Sequence, residues 1–392
     1  MFKRYPPRGR SFSASRSRPS RSGGRSQHID VSKFINKAVV TETAPFVPQH
    51  SFADFAIDER LKKNIITQRY TQPTPIQDKA IPHVLQGADV VGIANTGTGK
   101  TAAFLVPLLH KVLTDQQQNI LVVVPTRELA IQINQELVKF SYGLGIWSVC
   151  AVGGAPIGRQ IYDLRGRHNF VIGTPGRLKD LIERKCLSLA RFKTIVLDEA
   201  DRMLDMGFIQ DMRFLVAGMP PERQTLFFTA TMSHDIERLI KEFLKNHVTI
   251  SVKTGDTSKN VDQDVVRLIR GDAKIEVLHE MLNKPEFLKV LIFGKTKHGV
   301  ERLSQTLIDR GFKAASIHGD KNHSHRQRAL KAFKDSEAKI LVATDVAARG
   351  LDIPDVSHVI NYDLPATFDD YIHRIGRTGR GNKKGKALTF ID

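Results

Sequence analysis

The sequence predicts an α/β protein of two tandem domains, each a parallel sheet covered by helices on both faces, with a disordered basic N-terminal tail. Three observations carry this expectation. Short β-branched runs recur along the chain, each followed by a polar or Gly-rich turn and then a stretch of helical period. The runs are continuously apolar, as in strands buried on both faces. The pattern breaks once, over residues 253–264, and then restarts. A chain of 392 residues is long enough for two or three domains and for a core that needs neither disulfides nor metals.

Residues 1–26 carry eight cations (Lys3, Arg4, Arg8, Arg10, Arg16, Arg18, Arg21 and Arg25) and no acid, a large part of the net charge of +18. This stretch has too few apolar residues to offset the entropy of ordering, so the tail and its lead-in, residues 1–50, read as disordered. An organelle transit peptide, a solubilising tail and a nucleic-acid-binding arm all fit such a composition. Pro6, Pro7, Gly9, Pro19, Gly23 and Gly24 interrupt the amphipathic helix of a transit peptide, and the charge favours the arm.

The first domain is expected over residues 51–252, with strand runs at 90–94, 120–124, 148–152, 170–172, 194–197, 225–228 and 248–251. Between them lie helical stretches such as 128–141, where Leu129, Ile133, Leu137 and Phe140 share one face. The polar linker follows at 253–264. The second domain is expected over 265–392, with runs at 265–269, 290–293, 314–317, 340–343, 359–361 and 387–391; the chain stops after the last, which leaves no room for a C-terminal accessory domain. No apolar run approaches the ~18–20 residues of a membrane helix. Cys150 and Cys186 stand too far apart in sequence to suggest a disulfide framework or a zinc site, so a soluble protein of the reducing cytoplasm is expected.

Residues 94–101 follow a strand and open a helix, and they fit the phosphate loop G-x-x-x-x-G-K-[ST] except that Ala94 replaces the first Gly. Thr96, Gly97, Thr98 and Gly99 would curl backbone N–H groups around phosphate oxygens at a helix N-terminus. Lys100 would reach the β/γ-phosphates and Thr101 would ligate Mg²⁺. A nucleotide hydrolase also needs a metal carboxylate and a group to orient water. Asp198 and Glu199, just after the run at 194–197, supply them. An acidic cluster can be a solvated helix cap. Pairing with the phosphate loop favours the catalytic reading.

Asp198-Glu199-Ala200-Asp201 spells the signature of the DEAD-box ATP-dependent RNA helicases, which the chain resembles over nearly all of residues 52–392. Residues 70–77, Tyr-Thr-Gln-Pro-Thr-Pro-Ile-Gln, resemble the Q motif, with Phe52 as its upstream aromatic. Residues 125–130, Gly153-Gly154 and 174–177 resemble RNA-backbone contacts of the first domain. Residues 343–352 and 373–380 resemble motifs V and VI of the second.

The resemblance implies two RecA-like domains that close around ATP, Mg²⁺ and RNA. It implies that Gln77 bonds the adenine edge, Tyr70 stacks on the ring, and Gly350 and Asp352 meet the nucleotide from the second domain. Arg377 and Arg380 would be arginine fingers, and their spacing would put both on one helix face. Asp201, Thr229, Thr231 and His373 would couple ATP state to the cleft. RNA would meet Pro125, Arg127, Gly154, Thr174, Arg177 and Thr344 through phosphate and 2′-OH groups, without sequence preference. Thr229 stands where the family usually has Ser, His323 where Gln is common, and Asn95 and Thr98 where Gln and Ser are usual. The implied activity is ATP-dependent RNA unwinding; an ATP-gated RNA clamp and a DNA translocase are the rivals.

Overall fold

A computed structural model of the chain describes residues 30–37, 46–95, 97–252, 261–269, 273–348, 353, 355–379 and 385–391. The tail to residue 29, residues 253–260 of the expected linker, and Thr96, Gly350, Asp352 and Arg380 lie outside the described residues.

The first sheet has seven strands: β1 (Val90–Ile93), β2 (Ile120–Val123), β3 (Ser148–Ala151), β4 (Phe170–Gly173), β5 (Thr194–Leu197), β6 (Gln224–Thr229) and β7 (Val248–Ser251). All are parallel, in the order β3-β4-β2-β5-β6-β1-β7. Helices α1 (Glu59–Thr67), α2 (Pro75–Leu85), α3 (Lys100–Thr114), α4 (Arg127–Phe140), α5 (Ile157–Arg165), α6 (Pro175–Glu183), α7 (Ala200–Asp205), α8 (Ile209–Ala217) and α9 (His234–Phe243) cover it. The strands alternate between two cores: Ile120 and Val122 join the layer under α1 to α4, whereas Leu121 and Val123 join the layer under α6 to α9. Both layers are apolar, which is why the runs read as continuous.

The second sheet has six strands: β8 (Val261–Arg267), β9 (Val290–Phe293), β10 (Ala314–Ile317), β11 (Ile340–Ala343), β12 (His358–Asn361) and β13 (Gly385–Ile391), in the order β10-β11-β9-β12-β13-β8. With it go α10 (Lys274–Leu282), α11 (Lys297–Asp309), α12 (His323–Lys334), α13 (Asp345–Ala348) and α14 (Phe368–Ile375).

Two boundaries differ from expectation. The strand placed at 265–269 begins at Val261, because β8 pairs with β13 from Val261↔Gly385 to Arg267↔Ile391. Asp262, Gln263 and Asp264 read as linker, yet β8 is an edge strand that tolerates polar residues, and Gln263 is itself buried at 4% exposure. The lead-in is also partly ordered. Val31–Phe34 forms a short 3₁₀ turn, and Asn36 bridges Gln263 antiparallel. At 49–50, the Gln49 and His50 N–H groups donate to the Asp78 carboxylate at 2.9 and 3.1 Å.

Among the described residues, no helix is long and apolar enough to cross a membrane, and Cys150 and Cys186 are free thiols. The two domains meet: Arg326 of α12 pairs with Glu128 of α4 at 2.7 Å, both nearly buried.

Candidate functional site

Sheet order sorts the candidate residues into two groups. The C-terminal ends of β1, β6 and β5 lie side by side and carry the phosphate loop, Thr229 to Thr231, and Asp198 to Asp201, respectively. The ends of β2, β4 and β3 lie on the other side and lead into Pro125, Thr174 and Gly153-Gly154. Ligands of open α/β sheets sit at such strand ends.

Part of the first group lines a cavity of about 450 Å³, namely Gly97, Gly99, Lys100, Thr101, Asp198 and Glu199, and Tyr70 lines it too. Lys100 starts α3 at 6% exposure; its Nζ donates to Ala94 O at 3.0 Å and lies 4.0 Å from Asp198 Oδ1. Gly99 has φ +90°, and a Cβ there would overlap Gln77 Nε2.

The three carboxylates differ in charge state. Burial pushes Asp198 up to about 6, against the pull of Lys100. Burial would also raise Glu199, but Arg202, Lys100 and Arg377 outweigh it and hold the carboxyl below its usual value. Arg202 Nη1 donates to Glu199 Oε2 at 2.9 Å, with both side chains almost fully buried. Glu199 has φ +53°, a conformation that costs a non-Gly residue on the order of 1–3 kcal/mol. Asp201 is likewise held low: burial is outweighed by Lys100, Arg202 and His373. Its Oδ2 accepts from the N–H groups of Ala230 and Thr231, each at 3.0 Å, and from Thr231 Oγ1 at 3.2 Å. Thr229 Oγ1 donates to Thr231 O at 2.8 Å, so the Ser-to-Thr departure keeps a bonded hydroxyl.

Three placements differ from the simplest picture of this site. Phe52 is 2% exposed and packs edge-on against Tyr70 at 6.0 Å, so it backs Tyr70 from the core and does not face the cavity. Gln77 lies under the loop: Nε2 donates to Gly99 O at 3.0 Å, and Oε1 accepts from Thr74 N at 2.9 Å. Arg377 lies beyond α14, which ends at Ile375 with Gly376 as its cap, so it cannot share a helix face with a later residue. Gly376 caps the helix, and Gly379, with φ +65°, lies in the turn that follows. Tyr70 does line the cavity; its hydroxyl donates to Glu136 at 2.8 Å and its ring meets Phe140.

The second group lines a cavity of about 480 Å³ that spans both domains: Pro125, Arg127, Thr174 and Arg177 from the first, Gly319, Arg326 and Val346 from the second. Gly154, with φ +73°, leaves room for the Arg127 guanidinium, which a Cβ would overlap. Gly153 lines the cavity in its place. Arg177 Nη1 donates to Ala155 O at 3.2 Å and Gln160 Oε1 at 2.9 Å, which fixes its head. Thr344 N–H donates to Ile317 O at 3.3 Å behind this wall; Val346 and Gly319 reach the cavity instead.

Sequence reasoning missed Arg374, which is 2% exposed and bidentate to Asp345 at 2.6 and 2.7 Å, with a third bond to Asp363 O at 2.7 Å. It missed Arg202 and Glu128 as well. The signal was available: a long cation inside a helix among buried positions needs a carboxylate nearby.

Two parallel-sheet domains, a phosphate loop facing a carboxylate pair and a cavity lined from both domains define a two-domain α/β protein of the phosphate-loop class. The sequence model of the DEAD/DEAH box helicases matches residues 74–239, and that of the helicase conserved C-terminal domain matches residues 273–382. The chain is 44% identical over 344 residues to the ATP-dependent RNA helicase CshA of Listeria monocytogenes, covering 87% of this chain and 66% of that protein. It thus spans just under two thirds of the length of this curated relative. Its fold is similar to that of S. cerevisiae Dbp5 bound to RNA and ADP BeF3, with 31% identity, 87% and 89% of the two chains covered, and a TM-score of 0.77. It is also similar to Mss116p bound to ssRNA and AMP-PNP, with 30% identity, 88% and 76% covered, and a TM-score of 0.78. The chain belongs to the DEAD-box helicases, and its two sheets are the tandem RecA-like domains of that family.

Proposed function

We propose that this chain is an ATP-dependent RNA helicase that couples ATP binding and hydrolysis to RNA binding, local strand separation and release. The observation that carries the reading is the adjacency of the two cavities at the strand ends of one sheet, both faced by the second domain.

In this reading Lys100 neutralises the β/γ-phosphates, and the N–H groups of Gly97, Thr98 and Gly99 cradle them. Mg²⁺ fits the donors at hand, a buried carboxylate from Asp198 and the Thr101 hydroxyl on one cavity wall. When bound with ATP it supplies charge neutralisation and phosphate orientation. Glu199, kept ionised by Arg202, orients and deprotonates the attacking water. Arg377 brings positive charge toward Glu199 from the second domain and serves as the finger, with Arg380 assigned beside it and Gly350 and Asp352 at the nucleotide. Gln77 acts from beneath the loop, where its amide senses adenine and phosphate-loop geometry together. Asp201 ties the acidic motif to Ala230 and Thr231, Thr229 joins through its bond to Thr231 O, and His373 faces that junction.

RNA passes through the shared cavity, contacted along its backbone by Pro125, Arg127, Gly153, Thr174 and Arg177, with Gly154 giving Arg127 its room and Thr344 behind. Closure then requires both domains. A cytoplasmic location fits two unpaired cysteines.

Lys100→Ala should lose ATP binding, whereas Glu199→Gln should bind ATP and RNA but turn over ATP at least ~10²-fold more slowly. Turnover indifferent to RNA, or equal loss of ATP affinity in both variants, would overturn the assignment. Strand-separation assays on short duplexes distinguish unwinding from clamping.

A further inference from the structure

Residues 30–37 precede the first domain in sequence but pack on the second. Asp30 accepts from Ser32 N–H at 3.0 Å and caps the turn Val31–Phe34. That turn drives Phe34 into the core of the second domain, where it is 1% exposed among Val261, Phe293 and Ile375. Its ring meets Tyr371 edge-on with centroids 4.7 Å apart. Two residues later the backbone runs antiparallel to edge strand β8: Asn36 N–H donates to Gln263 O at 3.0 Å, and Gln263 N–H donates to Asn36 O at 2.7 Å. The Gln263 side chain in turn accepts from the Tyr371 hydroxyl at 2.9 Å.

Both contacts of the segment therefore converge on Tyr371, a fully buried residue of α14. That helix carries His373 and Arg374 and leads directly into Arg377. Arg374 anchors it through Asp345 and Asp363. Phe34 and Gln263 brace it at Tyr371.

We propose that Phe34, held in place by the Asn36–Gln263 bridge, is a positioning residue for ATP hydrolysis: it wedges Tyr371 and so sets the helix that presents His373 and Arg377 to the nucleotide. The proposal rests on the finger reading of Arg377. Phe34 touches no reacting atom. Its effect must therefore be on turnover after closure, and not on ATP capture, which belongs to the phosphate loop of the first domain.

The test measures ATP turnover at saturating RNA, and ATP affinity separately, in the full chain. Phe34→Ala should lower kcat by about 10- to 100-fold, the penalty for displacing a catalytic group by roughly an ångström, while KM for ATP changes less than about twofold. Phe34→Leu should restore most of the rate, because it refills the slot. Asn36→Pro removes one bridge donor at an exposed position and should lower kcat in the same direction, by less. In an Arg377→Ala background, Phe34→Ala should add little, since both changes act through one group. Full turnover by Arg377→Ala would overturn the finger reading itself. Slow Arg377→Ala with full-rate Phe34→Ala would overturn the brace alone, as would equal losses of kcat and ATP affinity. Should Phe34→Ala not fold, Asn36→Pro decides: a full rate overturns the proposal.

Discussion

Asp198 and Glu199 are neighbours with opposite proton affinities, and the difference is set by what each one faces. Asp198 has Lys100 at 4.0 Å and the Glu199 N–H at 2.9 Å to offset its burial, too little against it, and its carboxyl is raised to about 6. Glu199 has Arg202 at 2.9 Å and stays low. Two pH effects follow with different signatures. As pH falls through about 6, Asp198 takes up a proton that Mg²⁺ must displace, so turnover should drop; the midpoint should move to lower pH as Mg²⁺ is raised, because metal binds only the ionised form. A pH–rate profile at two Mg²⁺ concentrations checks this, and coincident profiles would rule it out. Arg202→Met should instead shift the acid limb upward at saturating Mg²⁺, since burial then acts on Glu199 with less opposition. It should also cost about 3–5 kcal/mol of stability, the usual penalty for orphaning one member of a buried ion pair. An unmoved acid limb, with any loss of kcat, would assign Arg202 to packing alone.

At the scale of elements, the site depends on strand–turn–helix junctions, and these were the most legible parts of the sequence. Gly-Lys-Thr after a run of β-branched residues and Asp-Glu after 194–197 mark strand ends by chemistry and period together. Elements that break the pattern were harder to read. Strand β8 hid behind Asp262 to Asp264 because an edge strand need not be apolar, and the end of α14 hid because Gly376 interrupts a run whose cations looked helical. The Gly153-Gly154 turn shows why small residues matter at one junction: only an absent Cβ lets Arg127 lie across it. Gly154→Ala should therefore weaken RNA binding, by about 1–3 kcal/mol if the strain at φ +73° is released through loop displacement. ATP affinity in the absence of RNA should stay within error, since the phosphate loop follows β1, five strands along the sheet from β3. Titrations of both ligands separate these outcomes; loss of both would mean that the first domain itself is disturbed.

Over the whole molecule, the buried Glu128–Arg326 pair and the two cavities show that each binding wall, built mainly by the first domain, is completed from a distant part of the chain, by Lys334 in one and by Gly319, Arg326 and Val346 in the other. The basic tail, which lies outside the described residues, adds charge to that assembly. Deleting residues 1–26 should leave basal ATPase unchanged, lower single-stranded RNA affinity, and reduce the slope of log affinity against log salt by about 2 to 4, below the ceiling of about 5 to 6 that eight cations allow. Parallel salt lines of equal height would mean a solvated tail or an address signal. Strand and helix order, the phosphate loop and the acidic motif were determined by the sequence, because each rests on local period and on residues adjacent in the chain. Only the tertiary structure decided the pairing of Arg202 with Glu199, the withdrawal of Phe52 into the core, the placing of Gln77 beneath the loop and the docking of Phe34 on the second domain. Those are contacts between side chains whose burial depends on elements far apart in sequence, and local pattern carries no record of which surfaces the folded chain brings together.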